Sequence, residues 1–504
     1  MQGPADMMNR KNALLILAAS LLIPASLQAS PAPETGALYQ QHCASCHGPD
    51  RLGGMGPALL PENLSRLKKP EAENTIRNGR PATQMPAFND ILGSESITAL
   101  ADYIYRPPAN TPTWGRADIL DSHLLPHPQG TLPDQPVYQA DMMNLFLVVE
   151  IGDHQVTLLD GDRMEPIHRF PSRYALHGGP KYSPDGRYVY FGSRDGWITK
   201  YDLYNLKVVA EVRAGINMRN IAVSADGNYV MAANYLPHTL VLFGADNLEL
   251  MDIIPVENDA GESSRVSAVY AAPPRDSFIA ALKDIPEAWE ITLEDGKARI
   301  RRMQTDTWLD DFFFDPGYEH LIGAARDGKR GYVINLDTGK SVAELPLPGM
   351  PHLGSGITWE YQGRRVMATP HFRTGAVSII DMDTWKVIKT LETEGPGFFM
   401  RSHENSRYAW VDVFFGPNRD KVHVIDKQTL EIVKTLQPAP GKVAAHVEFD
   451  RYGEKLLLSI WDKDGAVIVY DADTLEEEKR IPMNKPSGKY NVWNKINYEE
   501  GTSH

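Results

Sequence analysis

Five consecutive residues, Cys43-Ala-Ser-Cys46-His47, hold the only two cysteines of a 504-residue chain. Two thiols three positions apart, followed directly by an imidazole, suit covalent attachment of a c-type haem. The thiolates add across the two porphyrin vinyl groups, and His47 turns its ring onto the iron. A structural zinc site would need a second cysteine pair, and a disulfide across this spacing would be strained. An iron held by one imidazole takes a second axial ligand in electron carriers, and a thioether raises its potential. Met85, between Gly79 and Phe88 and followed by Pro86, is the first candidate. Met55, in the loop from Arg51 to Pro57, is the second. The chemistry is electron transfer.

A second set of residues is spread through the C-terminal two-thirds. His177 stands nine residues before Gly186, Arg219 eight before Gly227 and His446 seven before Gly453, with His352 further ahead of Gly363. Those glycines belong to a recurring turn, seen in Tyr182-Ser-Pro-Asp-Gly-Arg-Tyr-Val-Tyr190 and Val223-Ser-Ala-Asp-Gly-Asn-Tyr-Val-Met231, with weaker echoes from 314, 359, 403 and 449. If the repeats close into a ring, residues at one phase gather around its axis. Imidazoles and a guanidinium gathered there suit an anionic, iron-bearing ligand. His154, His168, His238, His320 and His423 show no such phase and read as structural.

The repeat length of about 45 residues is that of a four-stranded propeller blade. With a degenerate unit near 272 and a first unit opening at Asn144, the count is eight; seven is the alternative. Short alternating strands cannot bury both faces alone, so the blades must stack around an axis. The segment Tyr490–Tyr498 is expected to close the ring on the first blade. Upstream, helices are expected at Gly36–His42, near Glu71–Asn78 and from a capping Ser94 to a stop at Pro107 and Pro108. That span resembles a class I cytochrome c. The expected organisation is a small all-α cytochrome c domain at 30–108, a linker at 109–137, and an all-β eight-bladed propeller at 138–504. Ahead of these, Arg10 and Lys11, the apolar run Ala13–Ile23 and the small residues Ala25, Ser26 and Ala29 read as a cleaved secretory signal over 1–29. The run is short and broken by Pro24, so no transmembrane anchor is expected in the mature chain, and the location implied is the periplasm. A net charge of -14 with scattered Lys and Arg speaks against nucleic acid as a partner.

The order of a small cytochrome c and an eight-bladed propeller resembles the cytochrome-cd1 nitrite reductase family over most of the chain. Local strings agree: Gln84-Met-Pro-Ala-Phe88, Tyr174-Ala-Leu-His177, Ser193-Arg-Asp195, Met350-Pro-His-Leu-Gly354, Ser459-Ile-Trp461 and Gly488-Lys-Tyr-Asn-Val-Trp493. The resemblance implies haem d1 in the funnel, with His177 as proximal iron ligand and Arg194, Arg219, Tyr235 and Trp461 lining the pocket. One departure stands out. The reductases carry two distal histidines; His352 fills one slot, but the other falls in Trp308-Leu-Asp310-Asp311, where there is none. His446 stands where the reductases have no histidine, and it can fill the open iron position. That pattern resembles the paralogous dihydro-haem d1 dehydrogenases of haem d1 maturation. The resemblance then implies a different chemistry: a propionate of the bound tetrapyrrole is oxidised to an acrylate, and the electrons leave through haem c. His177 and His446 hold the iron, and His352 is the base, with Asp310 as second candidate. The implied partners are dihydro-haem d1, a periplasmic electron acceptor, and the nitrite reductase or other maturation proteins that receive haem d1. The alternatives are a nitrite reductase of the cd1 type and a non-enzymatic haem d1 carrier.

Overall fold

The computed structural model describes residues 33–497 except 66, 81–84 and 295. The expected signal at 1–29 lies outside the described residues, as does Tyr498. No helix among the described residues is long and apolar enough to cross a membrane.

The N-terminal part is helical: Pro33–His42, Ala44–His47, Lys69–Asn78 and Ser94–Ile104. In the last of these, Ile97, Leu100, Ala101 and Ile104 fall on one face and are buried against Tyr39, Leu64, Ile76 and Phe88. The third helix starts two residues before the expected Glu71, because Pro70 suits the first turn and Glu71 accepts the Lys68 N–H at 3.2 Å. Ser94 does not cap the fourth helix. Gly93 occupies the cap without a side-chain bond, and Ser94 Oγ instead accepts from Arg77 at 3.2 Å.

The C-terminal part is a ring of eight four-stranded antiparallel sheets. The recurring turns form because Gly186, Gly227 and Gly453 take φ near +72 to +75°, where a side chain is strained. Their aspartates tie the turn down: Asp185 accepts from the Arg187 N–H at 3.1 Å and Asp226 from the Asn228 N–H at 3.0 Å. The degenerate unit near 272 is a full blade, starting with Val266–Ala272. Blade 1 joins the two ends of the domain. Pro486–Asn491 is its innermost strand and pairs with Leu145–Glu150, so closure begins earlier than Tyr490, and Val492–Ile496 turns helical instead. Inner strands are buried on both faces, as in Leu145–Glu150, while outer ones such as Lys386–Glu392 alternate with solvent.

The expected linker is no loose tether. It carries the helix Arg116–Asp121, whose Ile119 is buried among Tyr190, Val209 and Val241 of blades 2 and 3. Downstream, Leu124 pairs with Glu211 and His127 Nδ1 bonds the Val208 carbonyl at 2.9 Å.

Closure is open to a direct test. A chain ending at Lys485 loses the innermost strand of blade 1, and its melting temperature, followed by circular dichroism, should fall by about 10 °C or more. A chain ending at Asn497 should melt with the full-length protein. Equal melting of all three would mean that the ring does not depend on this strand.

Candidate functional site

Cys43 caps the short helix Ala44–His47, and both cysteines are free thiols at intermediate exposure. Burial, then its neighbour Cys46, pushes the Cys43 thiol up to about 11. His47 is buried, which lowers its pKa, while its Nδ1 meets the Pro57 carbonyl at 2.8 Å. That bond puts the proton on Nδ1 and leaves Nε2 to a metal. A Cβ at Gly56 would lie 2.7 Å from the ring, so glycine there makes the slot for it. Met85 is half-buried in the cluster that includes Cys43 and Phe88, whereas Met55 is 71% exposed. The thiols, the oriented imidazole and a nearby thioether fit a covalent haem c.

The propeller gathers the second set as the repeat phase requires. His177 precedes the inner strand Lys181–Tyr182, Arg219 lies in Asn217–Val223, His352 precedes the turn Leu353–Ser355, and His446 lies in Ala444–Phe449. His177 Nδ1 lies 2.8 Å from the Arg219 carbonyl and 3.0 Å from Arg219 Nη1, and its Nε2 faces the guanidinium groups of Arg219 at 3.2 Å and Arg194 at 3.4 Å. Arg194 also stands 5.5 Å from the Tyr235 ring centre, with Arg265 and Lys283 at 5.6 and 5.8 Å. Burial would raise the Tyr235 phenol, but Arg219, Lys283 and Arg194 outweigh it and bring its pKa below the usual value.

Arg265, Lys283 and Arg326 escaped the sequence reading, although a positional signal exists. Arg194, Tyr235, Lys283 and Arg326 all stand at or just past the end of the second strand of blades 2, 3, 4 and 5. The same position carries Phe372 in blade 6, Phe414 in blade 7 and Trp461 in blade 8. The rim is therefore cationic on one arc and aromatic on the other. Asp310, the second candidate base, belongs to the cationic arc: its Oδ1 takes Lys283 at 2.9 Å and Arg326 at 3.2 Å. An oxygen claimed by two cations anchors the rim. Trp461 Nε1 is buried with no acceptor among the described residues.

The aromatic arc encloses the other two histidines. His352 lies 4.5 and 4.4 Å from the rings of Phe372 and Phe398, its Nδ1 on the Phe398 carbonyl at 2.5 Å. Its Nε2 is 3.6 Å from Asp311, whose Oδ2 also accepts the Gly354 N–H and fixes the turn. Burial lowers the His352 pKa, and Asp311 partly opposes this. His446 differs. Its Nδ1 faces a donor, the Lys489 N–H at 3.4 Å, and its ring lies 4.6 Å from Phe399 and 5.3 Å from Tyr490. Burial, then Lys489, Arg401 and Lys495, hold its pKa well below the ordinary value. His47, His177 and His352 thus share the Nδ1-to-carbonyl bond typical of iron-ligating imidazoles, and His446 lacks it. In this respect His352 resembles His47 and His177, and His446 does not. Of the histidines read as structural, His238 bonds Ser263 and His423 bonds Thr435.

Asp412 holds the aromatic wall together. It accepts the N–H groups of Phe398, Phe399 and His446 at 2.8, 3.0 and 3.2 Å, and burial pushes its carboxyl up to about 7. Asp412→Ala leaves three buried donors unpaired at about 1–3 kcal/mol each, so the melting temperature should drop by several degrees. The native state keeps a proton that the unfolded chain releases near pH 4. Wild-type stability should therefore decline as pH rises from about 4 to about 7, and urea titrations of the variant should show a flatter profile.

Residues 140–495 match the family described as Cytochrome D1 heme domain, and residues 31–104 match Cytochrome C oxidase, cbb3-type, subunit III. The chain is similar to dihydro-heme d1 dehydrogenase of Pseudomonas aeruginosa, with 59% identity over 492 residues, covering 97% of this chain and all of that one. It is also similar, at 27% identity, to a nitrite reductase of Stutzerimonas stutzeri, covering 96% and 98% of the two chains. Among solved structures, dihydro-heme d1 dehydrogenase NirN in complex with DHE has a TM-score of 0.90 at 58% identity, covering 93% of this chain and 100% of that one. With its cytochrome c and its cytochrome D1 heme domain in that order, the chain belongs to the dihydro-heme d1 dehydrogenase family.

Proposed function

We propose that this protein is a periplasmic oxidoreductase that converts one propionate of dihydro-haem d1 to an acrylate, the last step of haem d1 formation. The observation that carries this reading is the divided rim. An anionic tetrapyrrole needs cations for its carboxylates and apolar walls for its ring. Arg194, Arg219, Lys283 and Arg326 supply the first, and Phe372, Phe414 and Trp461 the second.

The side chain loses two hydrogens: two C–H bonds break, a C=C bond forms, and two protons and two electrons depart. His177 and His352 are the proposed iron ligands, and His446 the base that takes a proton beside the reacting side chain. A covalent haem c held by Cys43, Cys46 and His47 would supply a one-electron acceptor for these electrons and a route to a periplasmic acceptor. The product would then be handed to the nitrite reductase or to another maturation protein. A nitrite reductase of the cd1 type is disfavoured because the second distal slot holds Asp310, committed to Lys283 and Arg326. A simple carrier would have no use for Cys43, Cys46 and His47.

Incubation of the holoprotein with dihydro-haem d1 and ferricyanide should yield a product lighter by two hydrogens; an unchanged mass would remove the dehydrogenase reading. His446→Ala should cut turnover by about 10² or more while substrate still binds. His352→Ala should instead alter the visible spectrum of the bound substrate and keep measurable turnover. The opposite pattern would restore His352 as the base.

A pH profile gives an independent check on His446. A base with a depressed pKa stays unprotonated as pH falls, so the acid limb of the single-turnover rate should lie below the ordinary histidine value of about 6.5. A limb at or above that value would point to another group.

A further inference from the structure

Arg213 closes the outermost strand of blade 2, Lys207–Arg213, and is only 4% exposed. Among the described residues its guanidinium is in no ion pair, and what it binds is backbone oxygen. Nε donates to the Asp195 carbonyl at 2.8 Å, and Nη2 donates to the Leu52 carbonyl. Those two carbonyls come from different domains. The guanidinium lies 4.5 Å from the Trp114 ring centre, and Trp114 Nε1 returns a bond to the Arg213 carbonyl at 2.8 Å. Burying a guanidinium is costly, and burial lowers its pKa with Asp195 opposing. A Met or Leu would fill the same space more cheaply, so packing alone does not account for the residue.

Both clasped loops lead to residues proposed to hold a haem. Leu52 lies in the loop after the haem c motif. Its neighbour Gly53 donates to the His47 carbonyl at 2.8 Å, and Gly56 donates to the Cys46 carbonyl at 2.9 Å. A Cβ at Gly53 would lie 3.0 Å from Arg213 Nη2, so the approach uses the glycine. On the other side, Asp195 follows Arg194, the residue facing His177 Nε2. That loop is rigid: Ser193 Oγ bonds Asp195 at 2.5 Å and receives the Trp197 N–H at 3.1 Å, and the Arg194 N–H reaches Ala175 at 3.1 Å. A small apolar contact, Ala58 and Leu60 against Ile216 and Leu236, flanks the clasp.

We propose that Arg213 is a positioning residue for electron transfer between the domains: it clasps the haem c loop to the loop carrying Arg194 and so sets the gap the electrons cross. The inference rests on the dehydrogenase reading above. The two electrons released as the C=C bond forms cross this gap singly toward haem c, while the two protons leave through the base and solvent. Tunnelling falls off exponentially with separation, so a clasp that fixes the gap controls the rate without touching the substrate. Lysine is a poor replacement, because one ammonium cannot reproduce a planar fork over an indole ring.

The test uses full-length holoprotein carrying Arg213→Met or Arg213→Lys. Three quantities are read: the rate of haem c reduction after anaerobic mixing with dihydro-haem d1, the affinity for that substrate from its visible spectrum, and the small-angle X-ray scattering of the resting protein. Arg213→Met should slow haem c reduction about tenfold or more, leave affinity within about threefold, and enlarge the maximum dimension; Arg213→Lys should recover little of the rate. Reduction at the wild-type rate overturns the proposal, and so does a slower rate that is fully explained by lost affinity. Should Arg213→Met fail to fold, Trp114→Leu weakens the same clasp and should slow reduction in the same direction, and no slowing counts against the proposal. If the wild type itself does not reduce its haem c with this substrate, the dehydrogenase reading falls. The scattering comparison then decides the clasp alone, and unchanged dimensions in the variant overturn it.

Discussion

Eight sheets can face one axis only if the first and last are fastened together, and here a single strand does the fastening. Asn491, Tyr490 and Lys489 pair with Phe146, Leu147 and Val148, with a register shift before Glu150 meets Pro486. Strand side chains alternate faces, so a slip by one residue would exchange Lys489 and Tyr490. Lys489 is fully buried, bonds Ser459 Oγ at 2.7 Å and donates its backbone N–H toward His446; Tyr490 stacks edge-on to the same histidine. The register that closes the ring is thus the register that builds the wall behind His446. Stability and chemistry are specified by one pairing.

Around that axis, the ends of the second strands divide the rim by charge. Cations on adjacent blades repel one another, and the structure offsets this with carboxylates set between them. Asp284 takes Arg265 at 2.7 Å, and Asp310 takes Lys283 and Arg326. The aromatic arc needs a different support. Phe398 and Phe399 sit on an irregular stretch before the short strand Met400–Ser402, where their N–H groups have no sheet partner, and Asp412 supplies one. A carboxyl with its pKa near 7 can do this with little net charge in an apolar wall.

The parts legible in the sequence were those in which residue type and spacing coincide. Cys43, Cys46 and His47 identify themselves, and the Asp-Gly turns mark the blades because only certain residues accept their backbone angles. The phase of His177, Arg219 and His446 against those turns located the funnel. The rim was harder to see. Its position is constant, but Arg194, Tyr235, Lys283, Arg326, Phe372, Phe414 and Trp461 share no residue type, so no pattern repeats at the level of letters. The surroundings of His352 and His446 were illegible for another reason. The atoms that face their Nδ1 positions are backbone groups of Phe398 and Lys489, more than forty residues away in each case. The packing of the segment 109–137 was not visible either, because anchoring bonds such as Leu124 to Glu211 are also made by backbone.

In the proposed oxidation electrons and protons leave by different routes, and the groups assigned to them stand on different blades. Arg213, on blade 2, holds the cytochrome loop, whereas His446 lies on blade 8 beside the closing strand, with blade 1 between them. In the proposed reaction the depressed pKa of His446 serves a purpose beyond keeping it neutral at rest. A base held down by burial first, and then by Lys489, Arg401 and Lys495, holds a captured proton weakly, so the imidazolium formed in turnover is poised to release it. Strong binding of that proton would leave the base spent after one event. The same depression that makes His446 a weak base in equilibrium terms therefore favours a site that must reset between substrates.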